Sequence, residues 1–325
     1  MSSTDMPRAL DPPIDYRAAG MPYYPLNFFY RKRFGTKVWK LSLDAGCGCP
    51  NRDGTLATLG CIYCNPESFS PSRRMGLSSI AEQIEDGIRR LKRRYAVDQF
   101  VAYFQPGTNT YGPIDRLRLL YQQALAHPSI VGLTVGTRPD CVSEEALDLL
   151  AELAKQTWVV VEYGLQTIHD RTLDRLNRGH HYDAFLDAYR RTARRKLDMG
   201  VHVVLGLPGE SPDDMRATAQ ELARLQIHSI KLHNLYAVRD TVLAEQVAAG
   251  QVRLIELREY VERVVDFLEE LPGHVVIERL CGDAPPEYLV GPSWCLNKAA
   301  VRLAVETEFR RRGTFQAVKA AMGSK

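Results

Sequence analysis

Three cysteines fall at C-x11-C-x2-C spacing in the stretch running from Cys49-Pro-Asn-Arg-Asp-Gly to Gly60-Cys61-Ile-Tyr-Cys64-Asn. They sit among Gly, Pro, Asn and Asp, residues that interrupt regular structure, so the pattern predicts a loop. Thiolates are soft ligands that suit zinc or iron–sulfur clusters. A structural zinc site closes a tetrahedron with four protein ligands, and an ordinary four-iron cluster also takes four cysteines. Only three converge locally here. Cys47 or a distant histidine would complete a zinc site. Cys61 and Cys64 alone would make a redox dithiol, although such motifs start a helix in a short domain, and here a third cysteine lies upstream. The remaining reading is a three-cysteine iron–sulfur cluster with one iron open to another ligand.

Such a loop has to be positioned by regular elements. Val38 to Ala45 alternates apolar and polar residues before Gly46 and reads as a strand. The cysteines therefore hang from a strand end, the face where chemistry sits in parallel α/β barrels. Ser79-Ile-Ala-Glu82 is a capping box, and Ile80, Ile84, Ile88, Leu91 and Tyr95 then line one helical face. Gln99 to Phe104 reads as the second strand, and Leu117, Leu120 and Ala124 belong to the next amphipathic helix. Ile130 to Val135 gives a third strand. Ser143 opens the following helix, with Glu144 and Glu145 in the first turn, where the dipole favours acids. Trp158 to Tyr163 is the fourth strand, Asp183 to Met199 its helix, and Val201 to Leu205 the fifth strand. Ser211-Pro212 starts the fifth helix, and Ile227 to Leu232 is the sixth strand. Strands alternating with helices argue for a parallel sheet with right-handed crossovers. Six such units are fewer than the eight of a closed barrel, and periodicity alone leaves an open barrel and a doubly wound sheet equally available. Beyond Tyr236 the alternation fades: Leu254 to Leu271 and Lys298 to Met322 read as helices, His274 to Glu278 as a short strand. The expected organisation is an N-terminal arm over 1–36, a core over 37–236 and a C-terminal cap over 237–325. The arm's aromatic and basic string, YYPLNFFYRKRFG, reads as packing its rings on the body.

At 325 residues the chain can bury a sizeable core. Lys and Arg exceed Asp and Glu by three (42 − 39), so net charge implies no strong polyelectrolyte partner. Seven cysteines and no signal peptide argue for the reducing cytoplasm over a disulfide framework. No run approaches the roughly 18 apolar residues of a membrane span, so a soluble protein without a membrane partner is expected. Basic runs at Arg89 to Arg94, Arg190 to Lys196 and Arg310 to Arg312 read as solvated helix faces. Clustered basic surfaces also bind phosphates, which keeps nucleic acid as a candidate partner.

The cysteine loop resembles the cluster loop of the radical S-adenosylmethionine (SAM) enzymes, in the longer-spaced form of the group related to the elongator catalytic subunit. It is more similar still to a bacterial group within that class that shares "CPNRDG", "TNTY", "GTRPD", "GLQT" and "GLPGE". All five strings occur here in order between Cys49 and Glu210. Through "IKLHNLY" the resemblance continues into the C-terminal third. It implies an α/β fold of the partial (β/α)6 TIM-like barrel kind, the radical SAM core, with the arm and cap over its open side. It also implies a [4Fe-4S] cluster held by Cys49, Cys61 and Cys64, its fourth iron chelated by the amino and carboxylate groups of SAM.

The strand ends supply the other candidates. The loop after the second strand holds the methionine amino group of SAM in this superfamily, which implies Gly107, Thr108 and Asn109 as neighbours. On their own these residues make a polar turn. Arg138 is available to a carboxylate of SAM or of the protein, with Asp140 orienting it, and Cys141 reads as a core thiol. Gln166 and Arg178 repeat a spacing similar to that of the oxygen-independent coproporphyrinogen oxidases, which implies contacts to the ribose and the carboxylate of SAM. A guanidinium fork suits a carboxylate. Those enzymes carry an acid four residues before the glycine after the fifth strand; His202 stands there in this chain, a departure that alters the contact. Glu162, on an apolar strand, needs a partner such as a SAM amine or an arginine, or belongs to a structural ion pair. Gly206, in the "GLPGE" turn, allows close backbone approach and implies adenine nearby. His233 and Cys295 are candidates for substrate contact or radical relay, against a satisfied polar neighbour and a buried structural thiol respectively. No residue is singled out as catalytic.

The resemblance implies an enzyme that cleaves SAM reductively to a 5′-deoxyadenosyl radical, which abstracts hydrogen from a substrate the sequence does not identify. An electron donor such as flavodoxin or ferredoxin is expected. RNA modification is the alternative within the same chemistry. A zinc- or cluster-stabilised binding protein is the alternative outside it.

Overall fold

Runs such as Val159–Val161 and Phe100–Phe104 are buried along nearly their whole length, as strands of a parallel sheet covered by helices must be. The computed structural model describes residues 16–70, 76 and 79–320. After α1 (Leu26–Phe34), six strands alternate with helices: β1 (Val38–Leu43), α2 (Ile80–Tyr95), β2 (Gln99–Phe104), α3 (Ile114–Leu125), β3 (Ile130–Thr137), α4 (Glu144–Leu153) and β4 (Trp158–Gln166). The short α5 (Asp170–Arg175) and the longer α6 (Tyr182–Arg194) lead to β5 (Asp198–Leu205), α7 (Pro212–Arg224) and β6 (Ser229–Asn234). Each strand pairs in parallel with the one before it.

The chain then departs from the expected six units. A two-residue strand β7 (Ala237–Val238), α8 (Val242–Ala248) and α9 (Leu257–Glu270) precede β8 (Val276–Arg279), which joins β6 in parallel as a seventh strand. The sheet thus reaches into the segment expected as a cap. β9 (Leu289–Gly291) pairs antiparallel with β7 as a separate ribbon, and α10 (Lys298–Arg312) packs on α9. β8 is the short strand expected over His274 to Glu278; because β7 and two helices come before it, strand–helix alternation does not signal that it joins the sheet.

The seven strands form a curled, open barrel. β1 and β8 lie at opposite edges of the sheet and do not pair. Yet Lys40 of β1 reaches Glu278 of β8 at 2.5 Å, which requires the edges to bend to within a side chain's length of each other. α1 covers the N-terminal ends of the strands. Its Phe29 and Tyr30, with Tyr16 and Tyr24, bury against Val38, Val101, Trp158 and Val276. The aromatic arm therefore plugs the bottom of the barrel, and the strand ends that remain open are the C-terminal ones.

Several expected boundaries move for local reasons. The first strand stops at Leu43, short of Ala45. The helix expected to Met199 stops at Arg194, because Lys196 is left-handed (φ 56°) and Asp198 already belongs to β5. α5 lies in a stretch where no helix is expected. The last helix ends at Arg312 on left-handed Gly313 (φ 64°), while Met322 and residues 1–15 of the arm lie outside the described residues. Several members of the basic runs are engaged by acids: Arg191 by Asp187 at 2.7 Å, Arg195 by Asp148 and Glu144, Arg312 by Asp266 and Glu308. That pairing leaves less charge for phosphates than the sequence suggests. Among the described residues no helix is long and apolar enough to cross a membrane.

The capping box of α2 is formed as expected: Glu82 N donates to Ser79 Oγ at 3.2 Å, and Ser79 N to Glu82 Oε2 at 2.8 Å. Ser79→Ala should therefore cost about 1 kcal/mol, read as a lower urea midpoint with an unchanged m-value.

Candidate active site

The loop after β1 carries the three cysteines to the C-terminal mouth of the barrel, above a cavity of about 820 Å³. Cys49 and Cys64 line the cavity, and Cys61 is buried beside it. Backbone bonds make the loop compact: Arg52 N donates to Cys49 O at 2.8 Å and Cys64 N to Cys61 O at 2.9 Å. The turn after α5 anchors it. Ile62 N donates to Leu176 O at 3.0 Å, Asn177 Nδ2 to Gly60 O at 2.7 Å and Asn51 Nδ2 to Asn177 O at 2.5 Å. The Cys61 sulfur faces two donors, Asn51 Nδ2 at 3.6 Å and Arg178 Nη1 at 3.7 Å.

The three thiols lie within one another's field. Burial pushes the Cys64 thiol up to about 12; Cys61 and Cys49 add to that rise, and Arg52 and Arg178 oppose it. Three neighbouring sulfurs ionise together only when a cationic centre neutralises them, as a bound metal does. Among the described residues no three His, Cys, Asp or Glu groups are arranged to hold a single ion. A four-iron cluster takes each thiolate on a separate iron, so its sulfurs stand apart rather than converging on one point. The donor set fits a cluster.

The loop after β2 lies against the cysteine loop. Thr108 N donates to Gly48 O at 3.0 Å, and Gly107 is left-handed (φ 84°). A Cβ on Gly107 would stand 2.6 Å from the Cys47 carbonyl oxygen, so glycine is required for this approach. Gly107 and Thr108 line the cavity, but Asn109 does not. Its Nδ2 is instead stitched to the carbonyls of Phe104 (3.1 Å) and Gly136 (2.9 Å), joining the ends of β2 and β3. In this arrangement the Asn109 amide braces the loop.

Arg138, Gln166 and Arg178 all line the cavity. Arg138 is gripped by Asp140 at 3.0 and 2.8 Å and donates to Arg178 O at 2.8 Å, so its fork is already occupied. Arg178 donates to Gly164 O at 2.6 Å, and its buried Nε has no partner. The bulge between Gly164 and Gln166 leaves Gln166 left-handed (φ 78°), re-aiming that side chain into the mouth.

Glu162 lies deeper and is almost wholly buried. It accepts from Lys40 and Lys231 at 2.5 Å each and pairs with His202 Nε2 at 2.8 Å. Burial alone would raise its carboxyl, but Lys231, Lys40 and His202 hold it well below the usual range. Glu278 completes the floor with Ser229 Oγ at 2.7 Å and Lys40. Burial draws the Lys231 ammonium down to about 8, against the pull of Glu162. Glu162 and His202 therefore form a structural ion network at the cavity floor. Of its members Lys40 goes unnoticed in the sequence, where a lone lysine inside the apolar "VWKLSL" is the available signal. Tyr103, whose ring lies 3.9 Å from Lys231 Nζ, gives no signal beyond a strand aromatic.

Two further candidates lie outside the cavity lining. Gly206 (φ 83°) faces Ile255, whose Cδ1 would lie 2.8 Å from an added Cβ, and its turn lines a separate cleft of about 250 Å³ with Arg175 and Arg253. Cys295 is fully buried in the 293–296 turn and does not line the cavity, although its neighbour Leu296 does. Packing of that turn, fixed by Trp294 Nε1 donating to Ile255 O at 3.1 Å, directs the thiol inward. His233 does line the cavity, with a buried Nε2 that has no partner.

Four histidines (His180, His202, His228 and His233) bind protons less tightly than usual, chiefly because they are buried. Below about pH 6.5 the unfolded chain takes up protons that the folded chain refuses, so acid removes stability. The melting temperature should fall between pH 7.5 and 5.5, by roughly 2–4 °C for each kcal/mol lost; a flat profile by circular dichroism would contradict this. Gly107→Ala should cost roughly 1–3 kcal/mol in a urea melt. Gly48→Ala, whose nearest foreign atom would be Asp53 Oδ2 at 3.6 Å, should cost markedly less.

Comparison with known proteins accords with this architecture. Residues 46–222 match the family model described as the radical SAM superfamily, and residues 227–311 the radical SAM C-terminal domain. The uncharacterized protein YtqA of Bacillus subtilis (strain 168) is 35% identical over 304 residues, covering 94% of each chain. Protein YhcC of Escherichia coli (strain K12) is 38% identical over 268 residues, 82% of this chain and 85% of that one. Among solved structures, archaeal Methanocaldococcus infernus Elp3 lacking its N-terminus superposes with a TM-score of 0.67 at 17% identity, over 86% of this chain and 64% of that one. The chain belongs to the radical SAM superfamily, a family of enzymes that work with SAM and a [4Fe-4S] cluster.

Proposed function

We propose that Cys49, Cys61 and Cys64 hold a [4Fe-4S] cluster whose remaining iron is chelated by SAM, and that the cavity beneath receives the substrate. When bound, this pair supplies reductive cleavage of SAM to a 5′-deoxyadenosyl radical that takes hydrogen from the substrate, with a flavodoxin or ferredoxin as one-electron donor. The observation that carries the reading is Cys49 and Cys64 lining one cavity, from the loop that also holds buried Cys61, with Asn51 and Arg178 directed at the Cys61 sulfur.

The chain's own residues then have separable tasks. Asn51 and Arg178 stabilise negative charge at Cys61. Gly107 and Thr108 offer close backbone approach to the methionine end of SAM, and Gln166 takes the ribose. Arg178 is the cation left for the SAM carboxylate, since Arg138 is engaged by Asp140 and steadies the Arg178 backbone. Glu162 and His202 stay below, and the aromatic plug at the strand N-termini excludes water from beneath.

Anaerobic reconstitution of the full chain should give absorbance near about 400 nm and, with SAM and dithionite, release of 5′-deoxyadenosine. Replacing Cys49, Cys61 or Cys64 by Ala should abolish both. Unchanged absorbance and release in all three variants would sink the assignment, and tightly bound zinc without that absorbance would replace it with a structural metal site.

A further inference from the structure

Of the arginines and lysines that line the cavity, four make hydrogen bonds or ion pairs, although Arg178 keeps an unpartnered Nε, and one makes none. Arg52 donates to Cys64 O at 3.1 Å, Arg138 to Asp140, Arg178 to Gly164 O, and Lys231 to Glu162. The lining acids are engaged too: Glu162 by two lysines and His202, Asp283 by Lys298 at 2.7 Å, and Asp53 by Thr55 N at 3.0 Å. Arg279, the last residue of β8, is half-buried in the cavity wall, and among the described residues its guanidinium has no hydrogen-bond or ion-pair partner. Taking such a charge partly out of water costs free energy that no neighbour offsets. Beside it stands His233, whose buried Nε2 is also without a partner.

The local field agrees with this inventory. After burial, the groups that lower the basicity of His233 are Arg279, His202 and Lys231, so this end of the cavity remains electropositive even with Glu162 counted. Arg279 acts likewise on Lys231, Tyr103 and Tyr236.

We propose that Arg279, with His233 beside it, seats an anionic group of the substrate, a carboxylate or a phosphate. The inference rests on the reading that SAM takes the cluster end, with Arg178 for its carboxylate. A guanidinium offers two parallel N–H donors that match either anion bidentately. The substrate would thus be anchored by its anion at β8 with its reacting carbon toward the cysteine loop.

The test uses the full chain, cluster-loaded and saturated with SAM, titrated calorimetrically with malonate, methylphosphonate and neutral malonamide. At least one anion should bind, malonamide should not, and the tighter anion identifies the group. Arg279→Gln should weaken anion binding at least tenfold, while Arg279→Lys should retain part of it. Without anion, Arg279→Gln should melt no lower than wild type, because it removes an uncompensated charge; a clear fall would mean that Arg279 has a structural partner and would overturn the proposal. Equal affinity in wild type and Arg279→Gln, no anion binding at all, or displacement of SAM by the anion would overturn it as well. If cluster loading and SAM binding persist, any of these failures falls on this inference alone. If wild type takes up no cluster, the proposed function fails, and with it the assignment of the anion to a substrate.

Discussion

Lys40 sits on one edge strand of an open sheet and grips carboxylates on both the central strand β4 and the far edge strand β8. The two edge strands are not paired through their backbones, so the curl of the sheet depends on what its interior side chains will tolerate. A flatter sheet would pull Lys40 away from Glu162 and Glu278 and leave buried ions unpaired, at about 3–5 kcal/mol for a broken buried pair. Hydrophobic residues of equal volume would serve stability as well or better. What the ions add is direction, because Lys40, Glu162, Lys231 and Glu278 satisfy one another in one curvature. That curvature brings the loops at the strand ends around a common space.

Above this floor the site is assembled by a relay of supports. The cysteine loop has little regular structure of its own, and the turn Leu176–Arg178 holds it from the side through Ile62, Gly60 and Asn51. Arg178 belongs to that same turn, reaches Cys61, and is itself braced by Arg138, which Asp140 grips. Loops after β1, β3 and α5 are therefore fastened to one another. This fastening gives a loop the rigidity that an element interior would otherwise supply.

The sequence made the strand–helix rhythm legible because each parallel strand is a short apolar run flanked by turn residues, and each helix carries a cap or an amphipathic face. It also made the family legible, through motifs at successive strand ends. It showed β8 as a short strand over His274 to Glu278 but not as a seventh member of the sheet, because a break in the rhythm precedes it, and it hid the left-handed Gln166, because a bulge leaves no compositional mark. Residues that approach a cavity were not separable from residues that support one. Asn109 and Gly206 sit in motifs beside residues that do line the cavity, but one amide turns back to strand carbonyls and the other backbone faces Ile255. Arg279 gave no signal at all, since its lack of a partner is a fact about three-dimensional neighbours.

The aromatic plug formed by Tyr16, Tyr24, Phe29 and Tyr30 has a kinetic meaning beyond its packing. A chamber stoppered at one end fills and empties from the other. The N-terminal arm thus closes one route into the barrel from a place far from the candidate site, and leaves the end where the cysteine loop lies as the way in.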